Sequence, residues 1–204
     1  MIAALFVDPR GTYSGIKGVD CWGEERDARN YDGPHPVVAH PPCERWGRYW
    51  QGGPSASYPR KLGDDGGCFS SALESVRTFG GVIEHPEGSH AWRMFGLPIP
   101  DRKGGWQRGI CGGWSCCVEQ GYYGHPARKA TWLYSFGLRV PELRWGKAPG
   151  EFVRLDEGFH STEEREQSAR REPIKRLSAS QRISTPPEFR DVLLTMARSV
   201  GAAR

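Results

Sequence analysis

Nowhere in the 204-residue chain do about 18 uncharged apolar residues run together, so no membrane-spanning helix is expected. The opening Met-Ile-Ala-Ala-Leu-Phe-Val-Asp has neither the basic flank nor the long apolar stretch of a secretion signal. A soluble, cytoplasmic protein with no membrane partner is the expectation. A strong excess of one charge is missing too: +4, with a pI near 8.8, permits nucleic-acid binding without demanding it. Paired Cys-x-x-Cys knuckles are absent, so Cys111, Cys116, Cys117 and His125 lack the spacing of a structural zinc site, and no metal is expected. A chain this long builds its own core without disulfides, and its six cysteines read as thiols. No internal repeat is found.

The chain does hold 27 Gly, 16 Pro and 8 Trp, which assigns much of it to turns and makes aromatics supply much of the burial. Ile2 to Val7 is a short apolar run closed by Asp8-Pro9-Arg10-Gly11, a buried strand leading into a loop that carries Gly11 and Gly15. The polar segment between Trp22 and Tyr31 is helix-prone. Pro36 to Ala39 forms a second strand, which delivers His40-Pro41-Pro42-Cys43 to its end. Between Gly67 and Phe79, the residues Phe69, Ala72, Leu73, Val76 and Phe79 fall on one helix face, and Gly80-Gly81 stops that helix. Val82-Ile83 makes a third strand, with Glu84-His85-Pro86 just past its end.

Two more strands are expected over Ser115 to Gln120 and Ala130 to Phe136. Near the C-terminus, Thr185 is placed to cap a helix whose first turn holds Pro186 and Pro187 and whose Glu188 completes a capping box. Phe189, Val192, Leu193, Met196 and Val200 give that helix its apolar face. The alternation of strand and helix predicts an α/β fold with a mostly parallel, Rossmann-like sheet flanked by helices. Residues 1–139 and 183–204 form its main domain. Residues 140–182 lose periodicity and gain charge, which suits a small recognition or linker appendage.

Chemistry concentrates at the strand ends. Prolines rigidify the loop before Cys43 and present its sulfur, while Glu84 follows the next core strand, so parallel neighbours bring a nucleophile and an acid together. His40 and His85 adjoin these positions as secondary candidates. Trp46, Tyr49 and Trp50 suit stacking on a base, against the commoner role of aromatics as core. Arg128 and Lys129, and farther on Arg170, Arg171, Lys175 and Arg176, suit phosphate contacts, against the commoner role of solvated charge.

In order and kind these residues resemble the cytosine-5 DNA methyltransferases. Pro41-Pro42-Cys43 is similar to that family's catalytic Pro-Cys loop, and Glu84-His85-Pro86 to its Glu-Asn-Val motif. Tyr123-Gly124-His125-Pro126-Ala127-Arg128-Lys129 resembles its Tyr-Gly-x-Pro-Gln-x-Arg-x-Arg block, with Ala127, Lys129 and Thr131 in place of the usual Gln and two Arg. Arg182 to Pro187 is similar to the segment that opens the family's last helix. Four landmarks in the right order are more specific than any one of them.

The resemblance implies a shortened, phage-like methyltransferase with an abbreviated N-terminal half. Its catalytic residues are Cys43, Glu84, Arg128 and Lys129. DNA is its partner, with the target cytosine flipped, and S-adenosylmethionine its donor. Asp8, Gly11, Gly15 and Pro41 bind that donor, and Asp20, Glu24 or Glu25 is the nearest acid for its ribose. Only about 30 residues separate the glycine loop from Cys43, too few for two complete strand–helix units. Two alternatives therefore stay open: C5 modification with another donor or on a free nucleotide, and a non-catalytic nucleic-acid-binding protein on the same scaffold.

Overall fold

In a computed structural model the structure describes residues 1–52, 58–153, 155, 166 and 177–201. Among them lie seven strands: β1 (Ile2–Leu5), β2 (Val19–Trp22), β3 (Val37–Ala39), β4 (Gly81–Pro86), β5 (Gln107–Arg108), β6 (Trp114–Glu119) and β7 (Ala130–Phe136). The described α-helices are α1 (Cys68–Phe79), α2 (His90–Met94), α3 (Ala179–Ile183) and α4 (Pro187–Arg198). None of the described helices is long and apolar enough to cross a membrane.

The strands form one sheet in the order β2-β1-β3-β4-β7-β6-β5. Its core strands are buried on both faces, and their alternation assigns each residue a side. Ile2, Ala4, Val38, Val82 and Leu133 pack beneath Phe189, Leu193 and Leu194 of α4. Ala3, Leu5, Val37, Ala39 and Ile83 pack against Phe69, Ala72, Leu73 and Val76 of α1. The sheet is therefore an α/β layer between helices, as the periodicity predicts.

The expectation of a mostly parallel sheet is corrected. β1–β2, β1–β3 and β3–β4 are parallel, but β4–β7, β6–β7 and β5–β6 are antiparallel. The cause is chain length: only residues 120–129 connect β6 to β7, too few for the crossover that parallel pairing needs. The two strands pair as neighbours instead, and β7 enters beside β4 in the opposite sense.

Other elements differ locally. β4 continues through Glu84, His85 and Pro86 because β7 extends its ladder, whereas its pairing with β3 ends at Ile83. β2 is a half-buried edge strand without an apolar run to announce it. The helix-prone segment after Trp22 forms turns and one 3-10 turn (Ala28–Asn30), capped by Asp27, which also grips the Arg29 guanidinium. No side chain caps α4, whose first residue follows Pro186. The capping box lies at α3 instead, where Ser178 and Gln181 bond reciprocally.

Residues 140–153, the first part of the expected appendage, pack on the main body. Val140, Leu143 and Trp145 join the cluster beneath α4, and Glu119 accepts a hydrogen bond from the Ala148 amide at 2.8 Å. Arg170, Arg171, Lys175 and Arg176 lie outside the described residues.

Candidate active site

The chain leaves β1 toward β2 and leaves the neighbouring β3 toward β4 on the other side, so the connections diverge and open a crevice beyond the carboxyl ends of these strands. A cavity of ≈ 960 Å³ lies there, lined by Phe6, Val7 and Asp8 after β1, Gly23, Glu24 and Glu25 after β2, and Pro42 after β3. Phe6 takes a left-handed conformation, φ 58°, while its amide bonds the Trp22 carbonyl at 2.8 Å. Such strain in a non-glycine residue clusters at functional sites. Gly23 permits a close approach, since a Cβ there would sit 2.7 Å from the Val7 carbonyl oxygen.

Four carboxylates (Asp8, Glu24, Glu25 and Asp27) face two guanidiniums (Arg10 and Arg29) in this cavity. Asp27 is committed to Arg29, and Asp8 lies 3.7 Å from Arg10. Among the described residues, Glu24 and Glu25 carry no side-chain hydrogen bond or ion pair. Asp20, the third acid considered, is taken by Arg26 at 2.6 Å. Gly11 closes a turn by bonding the Asp8 carbonyl at 2.9 Å, Gly15 has open space around it, and Pro41 is buried. The wall of the cavity is thus built by Asp8 and Pro42 rather than by Gly11, Gly15 or Pro41.

One residue beyond Pro42, the Cys43 side opens onto a second cavity, ≈ 1220 Å³. Its charge is of the opposite sense: Arg48, Arg60, Arg102, Lys103, Arg128 and Lys147 face Glu44, Glu87, Asp101 and Glu119. Tyr49, 70% exposed, is on its rim, so one of the three aromatics weighed for stacking is placed there. Trp46 belongs to the core instead, 2% exposed with its indole donating to Asp65 at 2.7 Å. Arg128 lines the cavity with its donors directed to the carbonyls of Ala148 and Gly150, so it fastens the 148–150 segment.

Glu84 lies near Cys43, at the level where β3 has ended. Its Oε2 meets His40 Nδ1 at 3.0 Å and its Oε1 accepts from Gln120 Nε2 at 3.0 Å. Burial pushes Glu84 up, but the hydrogen bond and charge of His40, with Lys129 and His85 behind them, outweigh it and hold the carboxyl at about 2. The Cys43 thiol is pushed above its ordinary value by burial and by Glu84, against an opposing pull from Lys129. Burial lowers Lys129, against Glu84 and Cys43, and its Nζ donates to the Ser184 carbonyl at 2.7 Å. Lys129 itself adopts φ 43°.

His85 is fully buried between Phe69 and Trp92, with Nδ1 2.8 Å from Ser89 Oγ, and burial lowers it to about 4. A neutral core imidazole behind the Pro41-Pro42 loop is its role. Two participants escaped the sequence reading: Tyr13, whose hydroxyl lies 2.8 Å from His40 Nε2, and Gln120. Neither stands in a motif, and only the fold brings them to Glu84.

Cys116 and Cys117 are buried, Cys111 is exposed, and His125 bonds the backbone of Ala127 and Gln181. Among the described residues no three His, Cys, Asp or Glu side chains group to hold a metal. In comparison with known proteins, the chain matches no family model, no curated protein and no solved structure.

Proposed function

We propose that this protein modifies C5 of cytosine in DNA by methyl transfer from S-adenosylmethionine, with Cys43 as the nucleophile. One observation carries the reading: Pro42 lines one cavity and Cys43 the next, the two cavities carry opposite excess charge, and Glu84 acts electrostatically on the sulfur. The crevice with excess carboxylates suits a cationic sulfonium donor, and the cavity with excess guanidinium and ammonium groups suits a polyanion.

The residues present fit the donor in kind. Glu24 and Glu25 offer acceptors for ribose hydroxyls, Phe6, Val7 and Pro42 offer apolar surface, and the close approach at Gly23 shapes the wall. When bound, this donor supplies an electrophilic methyl group. Cytosine C5 is a poor nucleophile, and the chain's own residues change that. The Cys43 thiolate adds at C6, Glu84 engages N3, and C5 gains the electron density to accept a one-carbon group. Loss of the C5 proton then breaks the C6–S bond and frees the thiolate. Arg48, Arg60, Lys103 and Lys147, which line the basic cavity, hold the phosphates in this reading, and Tyr49 stacks on an extruded base.

Nucleoside mass analysis of DNA from cells expressing the wild type or Cys43→Ala tests this. 5-Methylcytosine is expected from the wild type and none from the variant. A product retained by the variant rules out the nucleophile; no product from soluble wild type rules out the reaction.

A further inference from the structure

His40 is the hinge of a hydrogen-bonded chain that joins the loop after β1 to Glu84. Tyr13 Oη lies 2.8 Å from His40 Nε2, and His40 Nδ1 lies 3.0 Å from Glu84 Oε2. The far side is fixed as well: Gln120 Nε2 donates to Glu84 Oε1 at 3.0 Å and to Thr131 Oγ1 at 2.9 Å. Tyr13 is 2% exposed, and the His40 and Glu84 side chains are 13% and 11% exposed. Arg190 anchors the Tyr13 loop by donating to the Thr12 carbonyl at 2.7 Å. Two side chains, His40 and Gln120, thus hold one carboxylate, and Tyr13 and Thr131 brace them from behind.

We propose that His40 is a positioning residue that stores the proton Glu84 delivers to the cytosine ring, and that Tyr13 sets the ring's orientation and proton affinity. This rests on the reading of the site as a cytosine-C5-modifying centre. Glu84 stands ionised at neutral pH, so a proton for N3 reaches it from a neighbour. In the singly protonated pair, His40 holds that proton. As the Cys43 thiolate forms its bond to C6, the C5=C6 electron pair shifts to C4–C5 and the C4=N3 pair moves onto N3. N3 takes a proton from Glu84, and Glu84 is refilled from His40 Nδ1. When the C5 proton leaves to water and the C6–S bond breaks, the N3 proton returns to Glu84 and then to His40.

Other ionisable groups face this chain. Lys129 from the start of β7, His85 on β4, His125 after β6 and Cys43 after β3 act on Glu84; Arg190 and Asp191 of α4 and Cys21 of β2 act on Tyr13. Burial raises Tyr13 well above its ordinary value, so its hydroxyl stays neutral and its oxygen accepts from Nε2–H of the proton-bearing His40 ring. With Nε2–H held by Tyr13, the ring passes its Nδ1 proton to Glu84 and is left as a neutral imidazole.

The test is the pH profile of single-turnover cytosine modification by wild type, His40→Gln and Tyr13→Phe. Glutamine keeps a donor toward Glu84 but does not titrate, so His40→Gln should lose roughly tenfold or more in rate at neutral pH and lose the limb in which wild-type rate falls with rising pH. Tyr13→Phe removes the acceptor at Nε2–H and should move that limb to lower pH. If His40→Gln fails to fold, the Tyr13→Phe shift decides. Product from the wild type with an unchanged limb in both variants overturns the inference and spares the functional reading. No product from the wild type overturns both.

Discussion

Cys43 sits among neighbours that pull its ionisation in opposite directions. Burial and the Glu84 carboxylate favour the protonated sulfur, and Lys129 favours the thiolate, so its ionisation reports the balance of two neighbours. Alkylation by iodoacetamide, followed by mass mapping of the Cys43 peptide, reads that balance. At neutral pH Cys43 should react more slowly than exposed Cys111, with a midpoint above the ordinary value of 9.0. Removing the negative neighbour in Glu84→Gln lowers that midpoint, and removing the positive one in Lys129→Met raises it. A midpoint indifferent to both substitutions would separate the sulfur from the two charges. At this scale the sequence already singled out Cys43, Glu84 and Lys129. Tyr13 and Gln120 were illegible because hydrogen bonding across 27 and 36 residues leaves no local pattern.

Among the elements, β4 carries the acid, and its seating depends on a glycine at its first residue. Gly81 has φ 138°, and a Cβ there would lie 1.9 Å from the Val37 carbonyl oxygen of β3. Gly81→Ala must push the parallel strands apart and should cost about 3 kcal/mol in chemical denaturation. Gly88→Ala, at φ 76° with nothing within 4 Å of its Cβ, carries only the conformational penalty, about 1 kcal/mol. Equal losses in the two variants would show that the close strand approach is unimportant. Val82-Ile83 announced this strand, but its continuation through Pro86 follows from pairing with β7, which no residue of β4 encodes alone.

At the scale of the molecule, the two cavities among the described residues carry opposite excess charge, which a net charge of +4 conceals. Lys103→Ala with Lys147→Ala should weaken binding to duplex DNA and reduce the slope of log K against log salt by about 2, without affecting S-adenosylhomocysteine binding. Glu24→Gln with Glu25→Gln should do the reverse, weakening S-adenosylhomocysteine in calorimetry and leaving DNA binding intact. Both ligands responding equally to both pairs would refute the division.

The sequence by itself determined the apolar strands around the site, the amphipathic faces of α1 and α4, and the position of Cys43 after two prolines beyond β3. These are local properties, written in periodicity and backbone restriction within a few residues. Only the tertiary structure decided that β7 runs antiparallel between β4 and β6, that Pro42 rather than Pro41 walls the crevice, and that Arg128 fastens backbone. Each depends on which distant segments meet, and that is set by connection length and the burial of both sheet faces together.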